Sequence, residues 1–166
     1  MITGVDLVKE QIRVAGDDPL SLSQSEVRFD GHAIECRINA ESPEHNFRPH
    51  PGRINEWLPP EGAGVRVDTH CYPGYLVPPH YDSLLAKLIT HAPSRAQAIA
   101  KMAHALSDFG VRGIETTIPF LRFLIKHPDF AAGKTHVRWI EALIAGSPKG
   151  LRHLMDASLP VEERVE

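Results

Sequence analysis

Gly31-His32-Ala33-Ile34-Glu35-Cys36-Arg37-Ile38-Asn39-Ala40-Glu41 is a run in which apolar and polar side chains alternate. A period of two puts His32, Ile34, Cys36, Ile38 and Ala40 on one side of a strand and Ala33, Glu35, Arg37, Asn39 and Glu41 on the other. The first side is built to bury, and the second stays polar. Mixed charges are ordinary on the open face of an antiparallel strand, so the pattern by itself gives only a solvated face. A guanidinium held on a stiff strand between Glu35, Asn39 and Glu41 is also a preorganised cation, suited to an anionic oxygen that needs several parallel donors.

Downstream, short alternating runs separated by Pro and Gly pairs predict further antiparallel strands at residues 52–58, 65–69 and 83–90. Upstream, Thr3 is the expected cap of a helix with Asp6 in its first turn and Val5, Val8, Ile12 and Ala15 as its apolar stripe, ended by Gly16-Asp17-Asp18-Pro19. After Pro93 the period changes to about 3.6 residues. Ser94 and Gln97 form a capping box for a helix that buries Ile99, Met102, Ala103 and Leu106 and ends at Phe109-Gly110. Thr117 is the expected cap of another helix, with Pro119 in its first turn and Leu121, Leu124 and Ile125 inward, stopped by His127-Pro128. A last helix is expected from His136 to Ala145, with Val137, Ile140 and Ile144 on one side. Residues 146–166 have weak periodicity and read as a mobile tail, with one short helix near Leu151 to Ala157. The predicted fold class is therefore α+β: a sheet followed by helices in a single domain over residues 1–145, led by the helix in residues 1–16.

A chain of 166 residues is long enough to bury roughly 70% of its unfolded surface. The formal net charge is −3, with Lys and Arg scattered rather than clustered, which argues against nucleic acid as a partner. No apolar run approaches the roughly 18 residues needed to span a bilayer, and the N-terminus has no basic region followed by an apolar core, so no membrane role and a cytoplasmic location are expected. The two cysteines, Cys36 and Cys71, are expected to be reduced and buried. Of the histidines, His32 pairs with Cys36 and His70 with Cys71 in sequence. The first two would lie about 13 Å apart along a strand, and the second two would point to opposite faces, so no metal site is expected.

Several irregular motifs stand together: Met1-Ile2-Thr3-Gly4-Val5-Asp6-Leu7, then the 31–41 run, then Arg48-Pro49-His50-Pro51-Gly52-Arg53-Ile54, Gly64-Val65-Arg66-Val67-Asp68, Tyr72-Pro73-Gly74-Tyr75 and Pro78-Pro79-His80-Tyr81-Asp82-Ser83-Leu84-Leu85-Ala86-Lys87-Leu88-Ile89. In that order and spacing, from Met1 to about Ile144, the chain resembles the C-terminal domain of biotin carboxylase. The resemblance implies an antiparallel, partly barrel-like sheet with packed helices. It also implies an ATP-dependent ligase as the parent, one that carboxylates biotin with bicarbonate in the first step of acetyl-CoA carboxylation in fatty acid synthesis. Arg37 matches the arginine placed to stabilise the enolate oxygen of biotin. Glu35, Asn39, Tyr81 and Asp82 would be its neighbours, with Asp82 closing the turn into a central strand. Arg66 sits where the family often has an arginine at its homodimer interface, although Ala63 replaces a bulky aromatic found in some members.

The glycine-rich loop, phosphate-binding lysines, metal-binding carboxylates and catalytic glutamate of the family all lie upstream of the position matched by Met1. ATP and Mg2+ are thus expected to have no site in these residues, and biotin is expected as a substrate carried on a carrier protein or domain. Required partners would be the upstream ATP-grasp domains and that biotin carboxyl carrier. The chain alone is expected to be inactive; the other function considered is a non-catalytic docking or dimerisation module derived from a carboxylase.

Overall fold

A computed structural model describes residues 1–146. The expected tail and its short helix lie outside them. The alternating run forms β1 (His32–Asn39), which pairs antiparallel with the longest strand, β8 (Leu84–Ala92), from His32 opposite Ala92 to Asn39 opposite Leu84. The register shifts between Ile38 and Asn39. On the far side of β8 lies β6 (Val65–Thr69), so the sheet order is β1-β8-β6.

Around this sheet lie three two-stranded ladders. They join β2 (Glu41–Ser42) to β3 (Arg48–Pro49), β4 (Gly52–Arg53) to β7 (Leu76–Val77), and β5 (Glu56–Leu58) to β9 (Gly110–Arg112). The single strand expected over 52–58 is interrupted at Ile54-Asn55, whose amides donate to the carbonyls of Tyr75 and Arg112 respectively. The backbone therefore serves two different partners in succession. The pairing gives antiparallel sheets with packed helices, and among the described residues no sheet closes on itself.

Burial follows the period of two. Ile34, Cys36, Ile38 and Ala40 are buried, while Glu35 and Arg37 are exposed; His32, at the strand's start, stays outside. The buried side meets Leu85, Ala86 and Leu88 of β8 and the helix α2 (Arg95–Asp108). Ser94 caps α2 by accepting from the Gln97 amide at 3.3 Å. Its buried face is Ala98, Met102, Ala105 and Leu106, with Ile99 and Ala103 at the margin. The two alanines allow close approach to the sheet: buried Thr90 of β8 donates its hydroxyl to the Ala98 carbonyl at 3.1 Å.

Helix α1 (Leu7–Ala15) is capped by Asp6, which accepts from the Lys9 amide at 3.0 Å, and not by Thr3. None of its residues is buried, and Leu7 is 70% and Ile12 67% exposed. The expected stripe exists, but Val8 and Ile12 on it stay exposed. After α2, the chain forms α3 (Ile118–Lys126), a short α4 (Pro128–Ala131) and α5 (Trp139–Ala145). Val137, expected on one side of the last helix with Ile140 and Ile144, precedes it and is fully exposed, while Ile144 joins a second cluster with Phe120, Phe123, Leu124 and Trp139.

Thr117 does not cap α3 with its side chain. Its hydroxyl instead accepts from the Asn39 amide at 3.0 Å and faces the Arg37 carbonyl at 3.3 Å, while its own amide donates to the Asn39 carbonyl at 3.1 Å. This ties the start of α3 to the end of β1. Replacing Thr117 by Val keeps the shape and leaves the half-buried Asn39 N–H without its protein partner, which is expected to destabilise the protein by about 1 kcal/mol. Urea unfolding measures it, and an unchanged midpoint would rule out the tie.

Gly31 turns into β1 with φ +65°, and a Cβ there would stand 2.5 Å from the Ala92 carbonyl oxygen. Both the left-handed backbone and the backbone contact disfavour any side chain. Gly31→Ala is expected to lower the thermal midpoint, and a midpoint at or above the parent's would contradict this packing.

Candidate functional site

Arg37 leaves the outer face of β1 just before the register shift. Irregularities of this kind re-aim side chains at strand ends. The guanidinium opens onto a cleft of about 440 Å³ shared with Asp82, Tyr81, His70, Tyr75 and Leu85. Arg37 Nη2 lies 3.9 Å from Asp82 Oδ1, and both side chains are more than half exposed. Such a pair contributes little to stability, so the cation is available to a ligand.

Asp82 Oδ1 also accepts from the Leu84 amide at 2.8 Å, the local bond by which Asp closes a turn. Tyr81, beside it, is 83% exposed. Asn39 donates through Nδ2 to Glu41 Oε1 at 3.0 Å, and its Oδ1 is buried with no partner. Glu35 takes another place: it borders a second cavity of about 270 Å³, lined by Cys36, Leu121, Phe130 and Trp139 among others. Of the residues singled out from sequence, Arg37, Tyr81 and Asp82 share one cleft, Asn39 is tied to its rim, and Glu35 lies apart.

Sequence reasoning missed His70 and Tyr75 as cleft residues. Their rings meet edge to face at 5.2 Å. Tyr75 was visible in the Tyr-Pro-Gly-Tyr motif, yet nothing in that spacing says which cavity it borders. Lys87 was missed as well. It stands opposite Arg37 on β8, and Asp68 of β6 stands opposite Lys87. Only the strand register shows this row of charged positions across the sheet.

Arg66 lies on β6, an edge strand, where Nε and Nη2 donate to the two carboxylate oxygens of Asp68 at 2.7 and 2.9 Å. These hydrogen bonds hold the guanidinium pKa above its ordinary value. No group of three or more His, Cys, Asp or Glu side chains among the described residues is placed to hold a metal ion. No described helix is long and apolar enough to cross a membrane.

The fold and cleft define an α+β domain that presents a strand-borne cation at the rim of an open cleft. Comparison with known proteins makes the class specific. The chain belongs to the biotin carboxylase C-terminal domain family, whose model matches residues 35–142. Biotin carboxylase 1 of Bacillus subtilis is 55% identical over 141 residues, covering 85% of this chain and 31% of that protein. The biotin carboxylase of a Nostoc species is 50% identical over 143 residues, covering 86% of this chain and 32% of the relative. Among solved structures, the biotin carboxylase domain dimer of Hydrogenobacter thermophilus 2-oxoglutarate carboxylase, in complex with MgADP, ADP and bicarbonate, superposes with a TM-score of 0.85 at 43% identity. That match covers 93% of this chain and 32% of the other. The chain thus spans about a third of the length of the relatives it matches.

Cys36 and Cys71 are both free and buried. Burial, helped by the nearby Glu35 charge, pushes the Cys36 thiol up from 9.0 to about 12. The unfolded thiol loses its proton first, so its contribution to stability is fully present below about pH 9 and is lost as pH rises toward 12, by about 1.4 kcal/mol per unit. Urea unfolding at pH 8 and pH 10 should show a smaller loss in Cys36→Ala than in the parent. Equal losses would show that the thiol is not held protonated.

Proposed function

We propose that this chain is the part of a biotin carboxylase that offers Arg37 to biotin while the rest of the enzyme handles the nucleotide. The observation that carries this is the placement of Arg37: an available guanidinium on the outer face of a buried-backed strand, at the mouth of a cleft, inside the family match. A fixed donor of this kind stabilises charge that develops on the ureido oxygen of biotin when the neighbouring nitrogen gives up its proton. Tyr81 and Asp82 form the facing wall of the cleft. Asp82 stands 3.9 Å from the guanidinium across the cleft.

No residue here is assigned to ATP or Mg2+. The described residues gather no acidic cluster for a divalent ion, and the sequence has no glycine-rich phosphate loop. Those sites belong to ATP-grasp domains outside this sequence, and the biotin arrives on a carrier protein or domain. Residues 1–145 act as one domain. The β6 edge, with Arg66 held outward by Asp68, is the surface through which the enzyme forms a homodimer in the cytoplasm. In support, the biotin carboxylase domain of Hydrogenobacter thermophilus 2-oxoglutarate carboxylase is described as a dimer.

In a full-length enzyme carrying this segment, Arg37→Ala should lower biotin carboxylation about 100- to 1,000-fold while the KM for ATP stays close to the parent's. Near-normal turnover would remove Arg37 from the chemistry. The 166-residue chain incubated with ATP, Mg2+, bicarbonate and free biotin should release no phosphate. Biotin-dependent release would show that a nucleotide site is present after all.

A further inference from the structure

We infer that Glu41 is a positioning residue whose carboxylate ties the strand carrying Arg37 to the turn carrying Asp82, and so sets the spacing of the two walls of the cleft. This builds on the role proposed for Arg37. Arg37 and Asp82 come from distant parts of the chain and are held to each other only by an exposed 3.9 Å contact, too weak to fix two segments. Glu41 Oε1 bridges them from behind. It accepts from Asn39 Nδ2, two residues beyond Arg37, at 3.0 Å, and from the Ser83 hydroxyl, directly after Asp82.

A backbone bond from the Ala40 amide to the Ser83 carbonyl at 2.8 Å runs beside the bridge. Asp82 is aligned within the turn by its bond to the Leu84 amide. Just past the Asn39–Leu84 end of the ladder, the strand end and the turn therefore meet at the Ala40–Ser83 backbone bond and at one carboxylate. Loss of the carboxylate leaves only backbone pairing to set the position of the Asp82 side chain, and the Asn39 and Ser83 donors then pair with water. The register shift between Ile38 and Asn39 lies at the same point. The β1–β8 ladder is thus least able to hold the geometry where the bridge occurs.

The bridge needs an acceptor oxygen and not a charge. Glu41→Gln keeps that oxygen, and Glu41→Ala removes it. In the 166-residue chain, Glu41→Ala should shift the NMR resonances of the Arg37 Nε–H and of the Asp82 and Ser83 amides. Ser83→Ala, which deletes only one donor, should move the Arg37 and Asp82 signals in the same direction, and Glu41→Gln should leave all three near their parent positions. Unmoved Arg37 and Asp82 signals in both alanine variants would overturn the bridge.

In a full-length enzyme carrying the segment, Glu41→Ala should lower kcat on the order of 10- to 100-fold with the KM for ATP unchanged. Glu41→Gln should stay within about 2-fold of the parent, and Glu41→Ala added to Arg37→Ala should cost nothing further. Multiplicative losses in the double variant, or a Gln variant as impaired as Ala, would overturn positioning through Arg37. Near-normal turnover of Arg37→Ala alone would instead overturn the role of Arg37 on which the inference builds.

Discussion

The antiparallel pairing of β1 with β8 is the contact on which the rest of this domain depends. One face of the pair carries Ile34, Cys36, Ile38 and Leu88 into the core under α2, and the other carries Glu35, Arg37 and Lys87 toward solvent. Because the side-chain period is two, a slip of one residue would bury Arg37 and expose Ile38 together. Stability and site placement are therefore the same constraint.

The core side is reinforced where hydrogen bonds cross between layers. Thr90 reaches from β8 to the α2 backbone, and Thr117 reaches from the start of α3 to both backbone groups of Asn39. These hydroxyls are buried and satisfied. Thr117 looks like a helix cap from its neighbours, but it closes the open edge of β1 where pairing with β8 becomes irregular. The outer side is held more loosely, by exposed ion pairs and by the carboxylate of Glu41.

The long elements were legible because their periodicity is long. Eight residues of alternation define β1, and Ser94 with Gln97 marks the start of α2. Ladders of two or three residues, such as β4 with β7, leave no period to detect. Their existence depends on partners far along the chain. The amphipathic pattern of α1 was real, yet such a pattern states only that a face favours burial and not what covers it. At the site, Arg37 stood out because a cation interrupts an otherwise ordinary strand face, and Asp82 because it precedes a strand. That the two meet in one cleft with His70 and Tyr75 follows from register and from the turn before β8, which one sequence does not encode locally.

The separation between β1 and β8 along the chain also governs how the molecule is made. The ribosome delivers β1 first, and roughly 50 further residues must follow before its partner is complete, a wait of roughly 3–10 s at typical synthesis rates. During that interval Ile34, Cys36 and Ile38 form a stretch of alternating apolar residues with no sheet to join. The strand that later positions the cation is, on the nascent chain, an unpaired adhesive segment. Asp30, Glu35 and Arg37 in and beside the run then act as charged gatekeepers against pairing with other chains. The same outward charges that face the cleft in the finished domain would thus keep the unfinished one apart from its neighbours.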